Sequence, residues 1–469
     1  MMYLSLFLSL STAVCASTTP YVALLQSSTS ISASSLAARV TSQSLAQELL
    51  AEAATLNTTT FLGVLTGSSL GLGFATSTGR LMQEVSSTNE LPLLFLNLSA
   101  HGQQFFVNHP YVLALEPDIL FGSKGILSTT FKKEEDAIFS AMGTQDTVSP
   151  ALDRIDQRQL PLSGTFSYSQ QGAGVDIYVL DSGVLSSHKE FRGRITPGAN
   201  FAPDQSGDDT SDTAGHGTCV ASIAGGAVFG VAKAAQIIPV RVYDDSNSGP
   251  LSQVLMGINW ILGSMGRRRR GAVINMSFGG QGSDIMDAGV ARLLQEGGVV
   301  VVAAGNAGGD ACKVSPARAS GVLSMGSTDL FDNIASFSNI GECVRLFSPG
   351  TNVPCAAIGS DSSVTLLSGT SMSAPQASGV AALYLEANPT YRPSQVVAGI
   401  VCGATADAVS SPPGTTSSML FTFPSGWPPL DTAVCRVSSS APPLPPPHTL
   451  TTLLLTALAL ALLPLDFIF

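Results

Sequence analysis

Between residues 175 and 304 the chain repeats one arrangement, a short apolar run followed by a stretch with helical spacing. The runs are Val175 to Leu180, Gln236 to Val242, Val273 to Ser277 and Val299 to Ala304, and the second leads into a helix pattern through Trp260. Runs that are apolar at successive rather than alternate positions leave no face for water. They fit strands buried on both faces, and strands joined by helices lie parallel. The expected fold class is therefore α/β, with a mainly parallel sheet covered on each side. In such sheets the side chains that do chemistry collect just beyond the carboxyl ends of the strands. Asp181 follows the first run directly, and Asn306 stands just after the last.

A 469-residue chain that is 45% hydrophobic and 12% charged, with 46 Gly, can fill such a core, and its length allows two to four domains. Its net charge of -11 argues against a nucleic-acid partner. The one basic tract, Arg267 to Arg270, reads as a solvated loop between helix-like Asn259-Trp260-Ile261 and strand-like Ala272 to Asn275.

Ser371 stands among small residues in Gly369-Thr370-Ser371-Met372-Ser373-Ala374-Pro375, at the mouth of a small, apolar helix pattern from Gln376 to Leu385. Neighbours without bulk let a carbonyl approach, and a helix N-terminus favours developing negative charge. Upstream, in order, come Asp181-Ser182-Gly183, Gly215-His216-Gly217-Thr218 and Ala304-Gly305-Asn306. Singly, each has a plainer reading: Ser is a common helix cap, Asp a turn residue, and His beside glycines a helix start. Together they resemble the subtilase family of serine proteases, nearest its proteinase K branch, over roughly residues 150 to 405. The Asp, His, Ser order is that of subtilisin-type triads.

The resemblance implies a subtilisin-like three-layer sandwich preceded by a small α+β, ferredoxin-like propeptide domain. It implies peptide-bond hydrolysis through an acyl-enzyme. Ser371 would be the nucleophile, His216 the general base and acid, and Asp181 the residue that orients the imidazole. Asn306 would donate its amide to the oxyanion beside the Ser371 N–H. Substrate would lie as an added strand against Ser277-Phe278-Gly279, with Asn247 to Leu251 as the opposite edge. Ala303-Ala304-Gly305 would wall the first pocket, and small apolar walls suit large apolar side chains. The expected partners are protein or peptide substrates and the chain's own propeptide as inhibitor, with the enzyme a monomer.

Three positions depart from the family pattern. Cys219 follows the His motif where many relatives carry a second His, and a thiol so near His216 would confer mercurial sensitivity. Gln376 replaces a His after the Ser-motif proline. Arg345 sits where the proteinase K-type calcium site supplies an Asp, and a guanidinium cannot ligate a hard cation. No cofactor is expected to be required; that calcium site is expected to be absent, although acidic residues elsewhere could hold calcium.

The remaining segments suggest processing. Residues 1–16, apolar and ending Val14-Cys15-Ala16, read as a secretory signal peptide. Residues 17–120 carry strand patterns at Tyr21 to Leu25, Leu81 to Val85, Leu91 to Leu98 and Tyr111 to Leu115 and a helix pattern from Leu36 to Leu56, an order that resembles the inhibitor-type propeptide of secreted subtilases, and the resemblance implies that role. Residues 121–150, with Lys132-Lys133-Glu134-Glu135, read as a long exposed connector containing the self-cleavage site, and 151–410 as the catalytic domain. Residues 411–440 are Ser/Pro-rich, and 441–469 pair a Pro-rich spacer with a hydrophobic end in the pattern of a GPI-anchor signal. Asn57-Thr58-Thr59 and Asn97-Leu98-Ser99 are glycosylation sequons; Asn275-Met276-Ser277 lies where substrate should pair and is discounted. Of seven cysteines, Cys312 and Cys343 are placed like a disulfide of some proteinase K-like proteins, and Cys355, Cys402 and Cys435 are left to share at most one bond. The contrasting functional class is a subtilase-fold binding protein that cleaves itself once, keeps its propeptide and acts by interaction.

Overall fold

The computed structural model describes residues 149–202, 209–268 and 271–425, together with 19–25, 62–65, 91, 93–98, 103, 106–108, 112–123, 126–131 and 143–146. The signal peptide, the helix expected at 36–56, the strand expected at 81–85, Lys132 to Glu135 and everything after residue 425 lie outside the described residues.

At the centre is a seven-stranded sheet. Its order is Ala199–Asn200, Gln236–Arg241, Val175–Asp181, Gly271–Met276, Gly298–Ala303, Leu323–Thr328 and Leu346–Pro349. Every neighbouring pair is parallel. Successive side chains of each strand point to opposite faces, so the continuous apolar runs divide into two cores. Ile177, Val179, Val273, Val299 and Val301 pack with the helices His216–Gly225, Thr370–Ala387 and Pro393–Gly403. Tyr178, Leu180, Ile274, Val300 and Val302 pack with Leu251–Arg268 and Asp284–Gln295. Each such aliphatic side chain contributes about 1.5–3 kcal/mol of transfer free energy. A charge at Val301 would face the first core with no water to solvate it. The α/β sandwich expected from the sequence is present.

Two local expectations change. Arg267 and Arg268 are not in a loop: they close the Leu251–Arg268 helix, where cations complement the dipole. Arg268 Nε lies 2.5 Å from Asp176 Oδ2. In the N-terminal region, Leu62–Leu65 forms a strand that the sequence reading passed over, because four residues including Gly63 carry little periodic signal. It joins Leu93–Leu98, Thr19–Leu25 and Val112–Pro117, in that order, in a wholly antiparallel sheet.

That sheet rests on the helices of the second core, to which Val22 and Leu93 contribute. Two carboxylates fix its orientation. Glu116 accepts hydrogen bonds from Ser283 Oγ at 2.6 Å and Asp284 N at 2.8 Å, at the start of the Asp284–Gln295 helix. Asp118 accepts from Ser252 N at 2.8 Å and Ser252 Oγ at 2.7 Å, at the start of Leu251–Arg268. Each negative charge meets the positive end of a helix dipole and satisfies amides that have no partner within the helix.

The described parts of 121–150, expected as a connector, run as strands paired with strands of the 151–410 region. Leu120–Gly122 pairs antiparallel with Ser248–Pro250, Ile126–Phe131 with Val364–Ser368, and Gly143–Asp146 with Thr165–Tyr168. Backbone pairing of an extended segment is favourable wherever a neighbouring strand has a free edge. Among the described residues, no helix is long and apolar enough to cross a membrane.

Candidate active site

Asp181 is the last residue of its strand, Asn306 follows the end of Gly298–Ala303, and His216 and Ser371 open the two helices on the first-core face. The sheet thus brings all four to its carboxyl edge. His216 Nδ1 lies 2.8 Å from Asp181 Oδ1 and 3.0 Å from Oδ2, with the carboxylate wholly buried. Its helix packs tightly on the Asp181 loop, because a Cβ on Gly217 would collide with the Gly183 carbonyl oxygen. His216 Nε2 makes no hydrogen bond. Ser371 Oγ contacts Met372 Sδ at 3.6 Å, and unliganded catalytic hydrogen bonds are often unformed before substrate arrives.

Burial opposes charge on His216, but the Asp181 carboxylate, through its field and its hydrogen bond, together with Asp212, holds the imidazole above the ordinary His range. Asp212 is a residue the sequence reading missed. It accepts from Ser182 Oγ at 2.9 Å, Gly215 N at 2.8 Å, and Thr218 N and Oγ1 at 2.8 and 2.6 Å. It thereby ties the Asp and His motifs together. An acidic residue shortly before a helix start was the available signal.

Asn306 and Ser371 face one space. A point at the Cβ position above Gly369 lies 2.8 Å from Ser371 Oγ, 3.2 Å from Asn306 Nδ2 and 3.7 Å from Ser371 N. Any larger residue at 369 would fill it, and the φ of +152° there suits glycine alone. Asn306 Oδ1 accepts from Thr370 N and Oγ1, both at 2.8 Å, which orients the amide nitrogen toward that space. Thr370 was also missed, since only the folded chain shows which neighbour of the serine grips the asparagine. Asn339 holds the loop in place by donating to Ala304 O at 2.9 Å and accepting from Ala307 N and Gly309 N.

Ser277 Oγ donates to Ser371 O at 3.0 Å and accepts from Asn275 Nδ2 at 2.8 Å. Asn275 is buried in this network and receives Ser378 Oγ, so it is packed as a core amide. Ala303 and Ala304 are buried at the end of their strand, with Gly305 next to Asn339. Phe278 is buried against Tyr243, their ring centroids 5.2 Å apart.

The edge expected to receive substrate already carries chain. Gly122 and Gly279 exchange hydrogen bonds at 3.4 and 3.3 Å, and Ser123 N donates to Asn247 O at 3.1 Å. Leu120–Gly122 is therefore a strand between the two predicted edges. Phe121 is buried beside Gly280, where a Cβ would fall 2.7 Å from its ring.

The departures resolve differently. Cys219 is no free thiol: it is bonded to Cys355, S–S 2.04 Å, because the two residues face each other across the first core. The expected mercurial-sensitive thiol is overturned, and Cys355 has its partner outside the group with which it was expected to share. Cys312 and Cys343 are bonded. Gln376 is buried and donates to Pro349 O and Met372 O, at 2.6 and 3.0 Å, bracing the turn that carries Ser371. Among the described residues, no cluster of three or more His, Cys, Asp or Glu is arranged to hold a metal ion. Arg345 lies in the chain just before Leu346–Pro349, its N–H bonded to Ser324 O.

The subtilase family model matches residues 172–419. An extracellular serine proteinase of Thermus sp. (strain Rt41A) is 44% identical over 278 residues, 59% of this chain and 67% of that protein. The alkaline serine exoprotease A of Vibrio alginolyticus is 41% identical over 61% of this chain and 53% of its own length. The crystal structure of a cold-adapted subtilisin-like serine proteinase superposes with a TM-score of 0.56 at 41% identity, covering 59% of this chain and 99% of that one. The matches span between about half and two thirds of the curated relatives' lengths, all of that solved chain but 1%, and the region that holds Asp181, His216, Asn306 and Ser371. The chain belongs to the subtilase family of serine peptidases.

Proposed function

We propose that the protein is a secreted serine endopeptidase made as a self-processing zymogen. The observation that carries this is the convergence above Gly369 of Ser371 Oγ and Asn306 Nδ2, with His216 paired to a buried Asp181 at the same carboxyl edge of the sheet. Ser371 Oγ attacks the substrate carbonyl, His216 Nε2 takes its proton and passes it to the leaving amine, and Asp181 stabilises the imidazolium. Asn306 Nδ2 and Ser371 N receive the oxyanion. Water then hydrolyses the acyl-enzyme. Backbone pairing with Ser277-Phe278-Gly279 binds substrate with little regard to sequence, and the small walls Ala303 and Ala304 favour an apolar side chain before the scissile bond.

The names of the relatives, one of them extracellular, support secretion, as do the apolar N-terminus and the disulfides Cys219–Cys355 and Cys312–Cys343. The antiparallel sheet of residues 19–117 is proposed to be the propeptide, released after self-cleavage in the 121–150 segment. The C-terminal sequence is proposed as a GPI signal, and Asn57 and Asn97 as glycan acceptors.

Hydrolysis of an unstructured protein by secreted wild type and Ser371→Ala, with intact-mass analysis of both, tests the reading. Wild-type turnover should fall roughly 10⁶-fold in the variant, the loss a subtilisin suffers without its serine. Processing without turnover would move the protein to the binding class; no processing in either form would overturn the triad.

A further inference from the structure

The carbonyl of Ser371 is held by a side chain rather than by its own helix. Pro375 stands four residues on in the Thr370–Ala387 helix and has no N–H to offer it. Ser277 Oγ donates to that carbonyl instead, at 3.0 Å. On the other flank, Thr370 N and Oγ1 donate to Asn306 Oδ1, both at 2.8 Å. The residue read as the nucleophile is therefore tied on one side to Asn306 and on the other to the segment expected to receive substrate.

A hydroxyl has one proton, and Ser371 O can only accept. Ser277 Oγ must then accept from its other partner, Asn275 Nδ2, at 2.8 Å. That leaves Asn275 Oδ1 to accept from Ser378 Oγ, also at 2.8 Å. The direction of every bond in this path is fixed. Asn275, Ser277 and Ser378 are wholly buried, where a satisfied network is rigid and a broken one costly. Asn275 belongs to the central strand Gly271–Met276, and Ser277 and Phe278 follow its end. Two residues beyond Ser277, Gly279 exchanges backbone hydrogen bonds with Gly122, so this edge does accept an added strand.

We propose that Ser277 is a positioning residue that couples occupation of the substrate edge to Ser371. The proposal rests on the triad and substrate-edge readings above. Backbone pairing of an extended substrate along Ser277-Phe278-Gly279 restrains Ser277, and its hydroxyl passes the restraint to the Ser371 carbonyl. Asn275 and Ser378 supply the fixed end, so rotation of the Ser277 side chain does not absorb it. The energy of pairing then appears in turnover as well as in affinity, because part of it aligns Ser371 Oγ. A misplacement of about 1 Å at a reacting atom costs on the order of a hundredfold in rate. A substrate too short to pair along the edge gains nothing by this path.

The test compares a single-residue anilide with a tetrapeptide anilide of the same terminal residue in wild type, Ser277→Ala and Ser378→Ala. Active sites are counted with a small fluorophosphonate. In wild type, extension should lower KM and raise kcat by roughly tenfold or more. Ser277→Ala should keep the fall in KM but lose the rise in kcat. Ser378→Ala, which makes no hydrogen bond to Ser371, should cut that rise by roughly threefold or more. A wild-type kcat that does not rise on extension overturns the coupling. So does an equal fall of both kcat values in Ser277→Ala, the mark of a merely structural role, or loss of the KM gain, which would assign the hydroxyl to binding. A full wild-type rise in Ser378→Ala overturns the path through Asn275, and this variant decides alone if Ser277→Ala does not fold. If wild type neither hydrolyses the tetrapeptide anilide nor reacts with the fluorophosphonate, the triad reading fails instead.

Discussion

His216 draws its properties from its burial, which excludes water, and from two neighbours on two other segments: Asp181 against Nδ1 and Asp212 behind the helix start. The carboxylates outweigh burial, so the proton is held more tightly than on an ordinary imidazole. A general base must be neutral to act, hence the sign is fixed. kcat/KM should rise with pH through a midpoint above the usual His value of about 6.5 and fall away below it. A kcat/KM profile on the peptide anilide checks this, and a midpoint at or below 6.5 would contradict the electrostatics. Asp181, His216, Ser371 and Asn306, the residues proposed to carry the chemistry, stand out in the sequence because each sits in a short motif of small residues, and the fold brings them to one edge of the sheet. Thr370, Asp212 and Asn339 do not stand out, because a hydroxyl, a carboxylate or an amide that orients another side chain is recognisable only by what it touches. Cys219 shows the same limit from the other side: next to His216 it read as a reactive thiol, and its partner Cys355 lies 136 residues away.

At the scale of elements, the N-terminal sheet is attached to the catalytic domain less by its strands than by where two of its carboxylates land. Glu116 and Asp118 flank the turn after Val112–Pro117 and meet the first turns of Asp284–Gln295 and Leu251–Arg268. Asp118 is held above the usual carboxylate range by burial, partly offset by its bonds from Ser252. A carboxylate at a helix N-terminus contributes about 0.3–2 kcal/mol. If the N-terminal sheet is released as proposed, the double variant Glu116→Gln, Asp118→Asn should shorten its retention on the rest of the chain by roughly tenfold, read by size-exclusion of the processed mixture. Unchanged retention would mean that the apolar contacts of Val22, Leu91 and Leu93 carry the attachment. Strand and helix content in this region was only partly legible: Leu93–Leu98 was anticipated by its apolar run, while Leu62–Leu65 was too short and glycine-broken to stand out.

At the scale of the whole molecule, the disulfide between Cys219 and Cys355 links the helix that carries His216 to the Val353–Ala356 strand. Closing so long a loop restricts the unfolded chain most, and its loss should cost roughly 2–5 kcal/mol. Denaturant unfolding of Cys219→Ala, Cys355→Ala in a Ser371→Ala background, which prevents self-digestion, measures it; the native enzyme should in turn be indifferent to mercurials. The sequence by itself determined the sheet class, the order of the chemical motifs and the family, because buried parallel strands and a nucleophile's small neighbours leave local patterns. Only the tertiary structure decided how Cys219, Cys355, Cys312 and Cys343 pair, which side chains orient His216 and Asn306, and that Leu120–Gly122 lies between the two expected substrate edges. Those outcomes depend on contacts between segments far apart in the chain, and strand pairing through backbone groups leaves almost no mark on side-chain identity.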